Sequence, residues 1–316
     1  MVKETEQSSI VVKSGIIYQA ISGFYYVWSE GESYPTKPRG NFRHQQMKPL
    51  VGDRVKFEFD KANEKSNSRL IEIEERYNQL VRPTVANVDY AFVVTSLIEP
   101  DFSYNLLDYF LVSVEANHIQ PLVLLTKYDL LLKQKGQVEA EKLVQEISKV
   151  YKDVGYTVIT LDGSEASVEN LTQQIDEGLY VIMGQSGVGK STLLNRLLPD
   201  AQIETAAISD ALNRGRHTTR EVTLYRFKKG MLADTPGFSA IEFATLEKEE
   251  LAACFPEIDA ASEFCKFRSC LHINEPGCQV KKLLAESKIT ESRYNNYLQI
   301  YERIDQRKPM YRKKNQ

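Results

Sequence analysis

The run Gly184-Gln185-Ser186-Gly187-Val188-Gly189-Lys190-Ser191 has the spacing G-x-x-x-x-G-K-[ST]. Glycines at these positions let backbone N–H groups turn inward around a β-phosphate. Lys190 brings a positive charge to the β- and γ-phosphates, and Ser191 offers a hydroxyl to Mg2+. The apolar stretch Leu179–Met183 precedes the run and a helical pattern opens at Lys190. Thr192 therefore falls in a first helical turn, whose dipole favours an anion. A plain glycine-rich turn is the alternative; the chemistry expected is the binding of a nucleoside triphosphate.

Asp234-Thr235-Pro236-Gly237 follows another apolar stretch, Met231–Ala233. An aspartate there holds magnesium through water, and the Gly237 N–H bonds a γ-phosphate only when one is present. Between the two motifs lies the polar segment SDALNRGRHTTR, with Gly215, Arg216 and Arg220. Thr219 in it is expected to complete the magnesium shell, with Thr218 as second choice. In many nucleotide hydrolases a glutamine follows D-x-x-G and orients the attacking water. Phe238 stands here instead, and its ring makes no such hydrogen bond. His217 is the nearest polar candidate for that task; contact with RNA or solvent is the alternative. Lys190, Thr219, Gly237 and His217 form the candidate catalytic set. Without a glutamine, turnover is expected to be slow until a partner orders the loop.

Thr126-Lys127-Tyr128-Asp129, at the end of Leu122–Leu125, is similar to the N-K-x-D motif with threonine replacing asparagine. Asp129 could accept hydrogen bonds from N1–H and the N2 amine of guanine, a pair adenine lacks. The stem of Lys127 would lie across the base. A strand-end turn is the alternative. A further base contact is expected around Thr160–Ser164, although TLDGSEA departs too far from S-A-K for residue assignment. The expected substrate is GTP. The order is unusual, because the base reader precedes the phosphate loop and D-x-x-G comes last. This is a circular permutation. An ATP-using P-loop enzyme such as a small-molecule kinase and an RNA-binding scaffold without useful turnover are the rival readings.

Cys265, Cys270, His272 and Cys278 give C-x4-C-x-H-x5-C. Three thiolates and an imidazole make a closed tetrahedral set, the usual signature of structural zinc. Three unlinked thiols and a surface histidine are the alternative. Cys254 stands apart and reads as a small apolar filler.

These groups need elements to position them. Residues 1–80 read as short strands at Ile10–Val12, Gly15–Gln19, Phe24–Trp28, Val55–Phe59 and Leu70–Ile73, separated by turn-rich segments such as GESYPTKPRGN. An OB-like barrel is expected, and an SH3-like barrel fits nearly as well. Tyr25, Tyr26 and Trp28 are candidates for base stacking, with core packing as the alternative. Residues 81–245 alternate strands (Tyr90–Thr95, Leu122–Thr126, Thr157–Leu161, Leu179–Met183, Val222–Phe227, Met231–Ala233) with helices (Tyr104–Asn117, Gln137–Val150, Val168–Ile175, Lys190–Leu197). That alternation implies a mostly parallel α/β sheet, with a final antiparallel hairpin turning at Lys228-Lys229-Gly230. Residues 246–316 read as helical around the cysteine cluster, with Tyr294, Tyr297, Leu298 and Tyr301 as a packing stripe. The fold class expected is multi-domain α/β in three domains.

The chain of 316 residues is 42% apolar and 26% charged, with a net charge of −3. No run of eighteen apolar residues occurs, and MVKETEQSSI lacks a secretory pattern, so a cytosolic monomer is expected. Ten Lys/Arg against four Asp/Glu follow from Lys281 onward, and Lys37–Arg54 carries five basic side chains, Lys37, Arg39, Arg43, Lys48 and Arg54, against Asp53. Both stretches are candidate phosphate-contacting surfaces, with solvated faces as the alternative.

The basic amino-terminal barrel, then TKYD, GQSGVGKS, GRHTTR and DTPGF in permuted order, then the Cys-Cys-His-Cys cluster and basic tail, together resemble one family over nearly the full length. It is the bacterial small-subunit-dependent GTPases of the RsgA (YjeQ) type. The resemblance implies a cytosolic GTPase that binds the small ribosomal subunit late in its assembly and contacts ribosomal RNA through the barrel and zinc domain.

Overall fold

Alternating burial along the strands described between residues 10 and 73 gives this region its barrel. The computed structural model describes residues 10–40, 48–61, 68–81, 83–199, 222–234 and 246–307. Thirteen strands appear among them: β1 (Ile10–Ile21), β2 (Phe24–Ser29), β3 (Glu32–Pro38), β4 (Arg54–Asp60), β5 (Ser68–Ile73), β6 (Gln79–Leu80), β7 (Val85–Ala86), β8 (Tyr90–Ser96), β9 (Gln120–Thr126), β10 (Thr157–Thr160), β11 (Leu179–Met183), β12 (Thr223–Phe227) and β13 (Gly230–Asp234). The helices are α1 (Tyr104–Glu115), α2 (Tyr128–Lys135), α3 (Gln137–Lys152), α4 (Glu165–Gln173), α5 (Lys190–Leu197), α6 (Pro256–Ser262), α7 (Gln279–Ala285) and α8 (Glu291–Asp305).

The chain divides into two compact units. The described residues of the first fall within Met1–Ala91, Val168–Met183 and Lys190–Phe238. Here β1, β2, β3, β5 and β4 pair in that order, and β4 pairs back with β1, closing a five-stranded barrel. Ile17, Val27, Tyr34, Val55, Phe57 and Leu70 fill its interior. Closure through the parallel β3–β5 pair is the OB-type arrangement rather than an SH3-like one. Two expectations are corrected. The runs Ile10–Val12 and Gly15–Gln19 form one strand of 12 residues, and the segment read as a turn, GESYPTKPRGN, contains β3. Two prolines and two glycines in that segment hid the alternation of Tyr34 and Thr36, both buried, with exposed neighbours. Tyr25 is buried, so it belongs to the core and not to a stacking surface.

Beyond the barrel, β1 continues to pair with β12, which forms the expected antiparallel hairpin with β13, and β13 lies parallel to β11. All five residues of β11 are buried, the mark of a strand covered on both faces.

In the second unit, with described residues within Phe92–Ser167, Gly184–Gly189 and Ser239–Gln316, the strands follow the order β10-β9-β8, and β9 and β10 run parallel. Helix α2 starts inside the Thr126–Asp129 motif; it was missed because Lys127 begins it from a left-handed conformation (φ 62°) without a side-chain cap. Val112 of α1 joins Leu251, Phe255, Ile258, Val280, Tyr297 and Ile300 in a continuous core. The tyrosine stripe packs as expected, Tyr294 and Tyr297 buried and Leu298 and Tyr301 at the margin, and Cys254 fills a core position. Among the described residues no helix is long and apolar enough to cross a membrane.

Candidate nucleotide site and candidate metal centre

The loop Gly184–Gly189 leaves β11 and enters α5 at Lys190. Gly184 has φ 147°, and a Cβ there would stand 2.1 Å from the Val94 carbonyl oxygen, so only glycine lets the loop press on β8. Gly189 turns with φ 100°. Val188 is buried and anchors the loop, while Gln185, Ser186 and Gly187 form an exposed tip. Helix α5 is held by Leu193, Leu194 and Leu197, leaving Lys190, Ser191 and Thr192 in its first turn. Burial lowers the Lys190 ammonium to about 8. A phosphate beside it would favour the charged form.

Asp234 ends β13, and the parallel register Leu179↔Met231, Tyr180↔Leu232, Val181↔Ala233 puts that end level with the end of β11. Asp234 therefore stands at the carboxyl end of its strand, level with the carboxyl end of β11. Ligands of α/β sheets gather at such carboxyl ends.

Thr126 ends β9. Its Oγ1 donates to the Val188 carbonyl at 2.6 Å, with the Thr95 carbonyl 3.2 Å away. The threonine that replaces asparagine thus ties the base-reading segment to the phosphate loop. The Lys127 Nζ donates to the Glu99 carbonyl. Asp129 lies in the first turn of α2 with its carboxylate half exposed, 3.9 Å from the Lys133 ammonium. The Tyr128 N–H donates to the Leu161 carbonyl at 3.4 Å, which sets Leu161–Ser164 beside this motif. There Asp162 Oδ1 accepts from the Ser164 hydroxyl at 2.6 Å and its N–H at 2.9 Å, bonds that hold the Asp162 carboxyl below the usual range. No residue in this loop was assignable from sequence; the signal was a D-G-S turn directly after a strand. Gly237, Thr219, Thr218, His217 and Phe238 lie outside the described residues.

Cys265, Cys270, His272 and Cys278 bring their donor atoms within 4.8 Å of one another. His272 Nδ1 stands 3.6 Å from Cys265 Sγ and 3.5 Å from Cys278 Sγ. Tetrahedral zinc with Zn–S of about 2.3 Å and Zn–N of about 2.0–2.1 Å needs nitrogen–sulfur edges of roughly 3.5 Å, so the set fits. The Gln279 N–H donates to Cys265 Sγ at 3.3 Å, as a thiolate would require. Burial pushes the Cys270 thiol up to about 12 and the His272 imidazole down, so ionising the thiols is work for a cation. The surrounding loop is fixed by backbone bonds. Burial alone would raise the Glu275 carboxyl, but N–H groups of Leu271, Ile273 and Asn274 at 2.8–3.0 Å hold it below its ordinary value. Tyr294 and Tyr297 donate to the His272 and Leu271 carbonyls at 2.7 and 2.8 Å.

Comparison with known proteins agrees with this geometry. Residues 73–244 match the RsgA GTPase family model, and residues 14–65 match that of the RsgA N-terminal domain. The small ribosomal subunit biogenesis GTPase RsgA of Enterococcus faecalis is 50% identical over 305 residues, 96% of this chain and 100% of that protein. Its counterpart in Streptococcus mutans is 47% identical, covering 95% and 98%. Among solved structures, YloQ, a circularly permuted GTPase, aligns with a TM-score of 0.81 at 36% identity over 98% of this chain and 100% of that one. YjeQ from Thermotoga maritima aligns with 0.80 at 30%, over 94% and 100%. With a family model matched over residues 73–244 and relatives 50% and 47% identical over nearly its whole length, the chain belongs to the RsgA GTPase family.

Proposed function

We propose that this protein binds GTP with Mg2+, hydrolyses it to GDP and phosphate, and does so in the biogenesis of the small ribosomal subunit. The observation that carries the reading is the bond from Thr126 to the Val188 carbonyl, because Asp129, the proposed guanine-reading carboxylate, follows three residues after the strand end that grips the phosphate loop. The family membership and the function of the relatives supply the partner.

In this reading Gly184–Gly189 wraps the β-phosphate, Lys190 neutralises the β/γ oxygens, and Ser191 and Thr192 open the anion-binding helix. Thr126, Lys127, Tyr128 and Asp129 seat the base. Ser191 and Asp234, a hydroxyl and a carboxylate, are hard oxygen donors of the kind Mg2+ takes, with Thr219 assigned from sequence alone. The bound ion neutralises charge on the β- and γ-oxygens. Water attacks the γ-phosphorus in line, the bond to the β,γ-bridging oxygen breaks, and GDP leaves as the water proton passes to solvent or phosphate. Gly237 senses the γ-phosphate, and His217 is the proposed water-positioning group. Cys265, Cys270, His272 and Cys278 hold one structural zinc. The organisation proposed is three domains, residues 1–80, 81–245 and 246–316, acting as a cytoplasmic monomer, with the barrel and zinc domain meeting ribosomal RNA.

Phosphate release measured with and without purified small subunits, together with GTP and ATP competition, tests the reading. The expected result is binding restricted to guanine nucleotides and turnover raised by subunits. Equal affinity for ATP and GTP would overturn the base assignment, and unchanged turnover would overturn the partner.

A further inference from the structure

Strand β1 changes partners along its length. Residues Ile10–Ile16 pair with β4 and belong to the barrel, whereas Gln19 pairs with Thr223 of β12. Between them the register against β2 shifts from Ile17↔Val27 to Gln19↔Tyr26, so Tyr18 is the extra residue of a β-bulge. A bulge bends its strand and re-aims the side chains beyond it. Here the next side chain, Gln19, donates from Nε2 to Thr223 Oγ1 at 3.2 Å. Thr223 is in turn the direct cross-strand partner of Asp234 on β13. Gln19, Thr223 and Asp234 therefore form one row across three adjacent strands, with side chains on the same face. A separate contact joins β12 to the barrel on the other face of the strand, where the Arg226 guanidinium lies over Trp28 of β2, 5.5 Å from the ring centroid. Tyr18 packs edge-on against that ring at 6.3 Å.

We infer that this row is the link by which a partner held on the barrel biases Asp234, with Gln19 as a positioning residue for stimulated GTP hydrolysis. The inference rests on the reading of Asp234 as the magnesium-side carboxylate. The physical reason is that ladder partners move together. A shift or stiffening of β1 beyond the bulge is carried to Thr223 through one backbone register and one side-chain bond, and from Thr223 to Asp234 through the hairpin ladder. Reciprocity holds for binding: by whatever factor the barrel's partner changes nucleotide affinity, the nucleotide changes the partner's affinity by the same factor.

The experiment uses the full-length protein, purified small subunits, GDP and a non-hydrolysable GTP analogue. Gln19→Ala is expected to keep basal turnover and GDP-state subunit affinity while losing about fivefold or more of the subunit-stimulated kcat. It also narrows the difference in subunit affinity between the GTP-analogue and GDP states. Thr223→Ser should restore near wild-type stimulation, Thr223→Val should match Gln19→Ala, and the double variant should be no worse than either single one, because all remove one bond. Full stimulation in Gln19→Ala and Thr223→Val, or additive losses in the double variant, overturns the link. Asp234→Asn separates the two levels. If it hydrolyses GTP as well as the wild type, the reading of the site is wrong; if it is inactive while Gln19→Ala is fully stimulated, the site stands and the link falls.

Discussion

Three side chains at the candidate site decide different things, and substitution separates them. In the proposed reading Asp129 is the discriminating group. Asp129→Asn replaces a two-fold acceptor by an amide, so GTP affinity falls by about 2–4 kcal/mol while contacts to the phosphates persist; displacement of a labelled guanine nucleotide by GDP and by pyrophosphate measures both. Thr126 acts on the other end of the ligand. Thr126→Val leaves the buried Val188 carbonyl without its donor, and affinity for GTP and GDP falls together by about 1–3 kcal/mol with guanine selectivity intact. Thr126→Ser keeps the hydroxyl and is expected to bind as the wild type does. Lys190 sets a pH dependence. Only its ammonium form attracts phosphate, and burial lowers the unliganded group to about 8. Below that value the charge is already present and affinity is flat. As pH rises through it the free protein loses a proton that the complex keeps, and affinity falls by up to about tenfold per pH unit. Titration calorimetry in two buffers of different ionisation enthalpy counts the proton taken up, and a flat profile up to pH 9 would contradict the assignment.

At the scale of elements, helices α1, α6 and α8 are joined by a buried charge network rather than by apolar packing alone. Arg293 is 1% exposed; it donates to Asp108 at 2.6 Å and to both Glu257 oxygens at 2.7 and 2.9 Å. Asn296 and Tyr151 complete the Asp108 carboxylate at 2.6 and 3.0 Å. Burial raises the Asp108 carboxyl, so removing the guanidinium leaves a carboxylate that the interior cannot tolerate. Arg293→Met is expected to destabilise this helical region by about 3–5 kcal/mol, the cost of breaking a buried pair from one side. Hydrogen exchange over Pro256–Asp305, compared with the phosphate-loop region, measures it; protection equal to wild type would show that the packing core suffices.

For the molecule as a whole, the placement of the metal centre in the second unit, within the core of Cys254, Phe255, Val280 and Tyr297, predicts local dependence on metal. Elemental analysis is expected to give one zinc per chain. Chelation or Cys270→Ser should release Cys265–Cys278 to proteolysis while nucleotide affinity stays within about twofold, since the metal contributes folding energy where it is bound. Loss of nucleotide binding in step with the metal would show that the two regions unfold as one. Motif order matters at this scale as well. With the base reader ahead of the phosphate loop, Asp234 comes last of the nucleotide motifs, and the chain proceeds from it towards the cysteine cluster.

The phosphate-loop motif, the candidate base-reading motif, the Cys3His cluster and the permuted order were legible in the sequence because each depends on residue types at short fixed spacing. Strand β11 and helix α5 were legible to the residue, since a continuous apolar run and an i, i+1, i+4 leucine stripe admit few other readings. Strand β3 was not, because its pairing between β2 and β5 compensates for prolines that locally argue against a strand. The sequence placed Thr126 among the base contacts; that its hydroxyl reaches a carbonyl 62 residues away is a tertiary fact. Likewise Leu161–Ser164 gains its neighbour only through the parallel register of β9 and β10. The row Gln19–Thr223–Asp234 has no sequence signal at all, because no local propensity specifies which strand continues the sheet beyond a bulge. Spacing along the chain determines which chemistry is available. Hydrogen bonding between distant strands decides which groups act together.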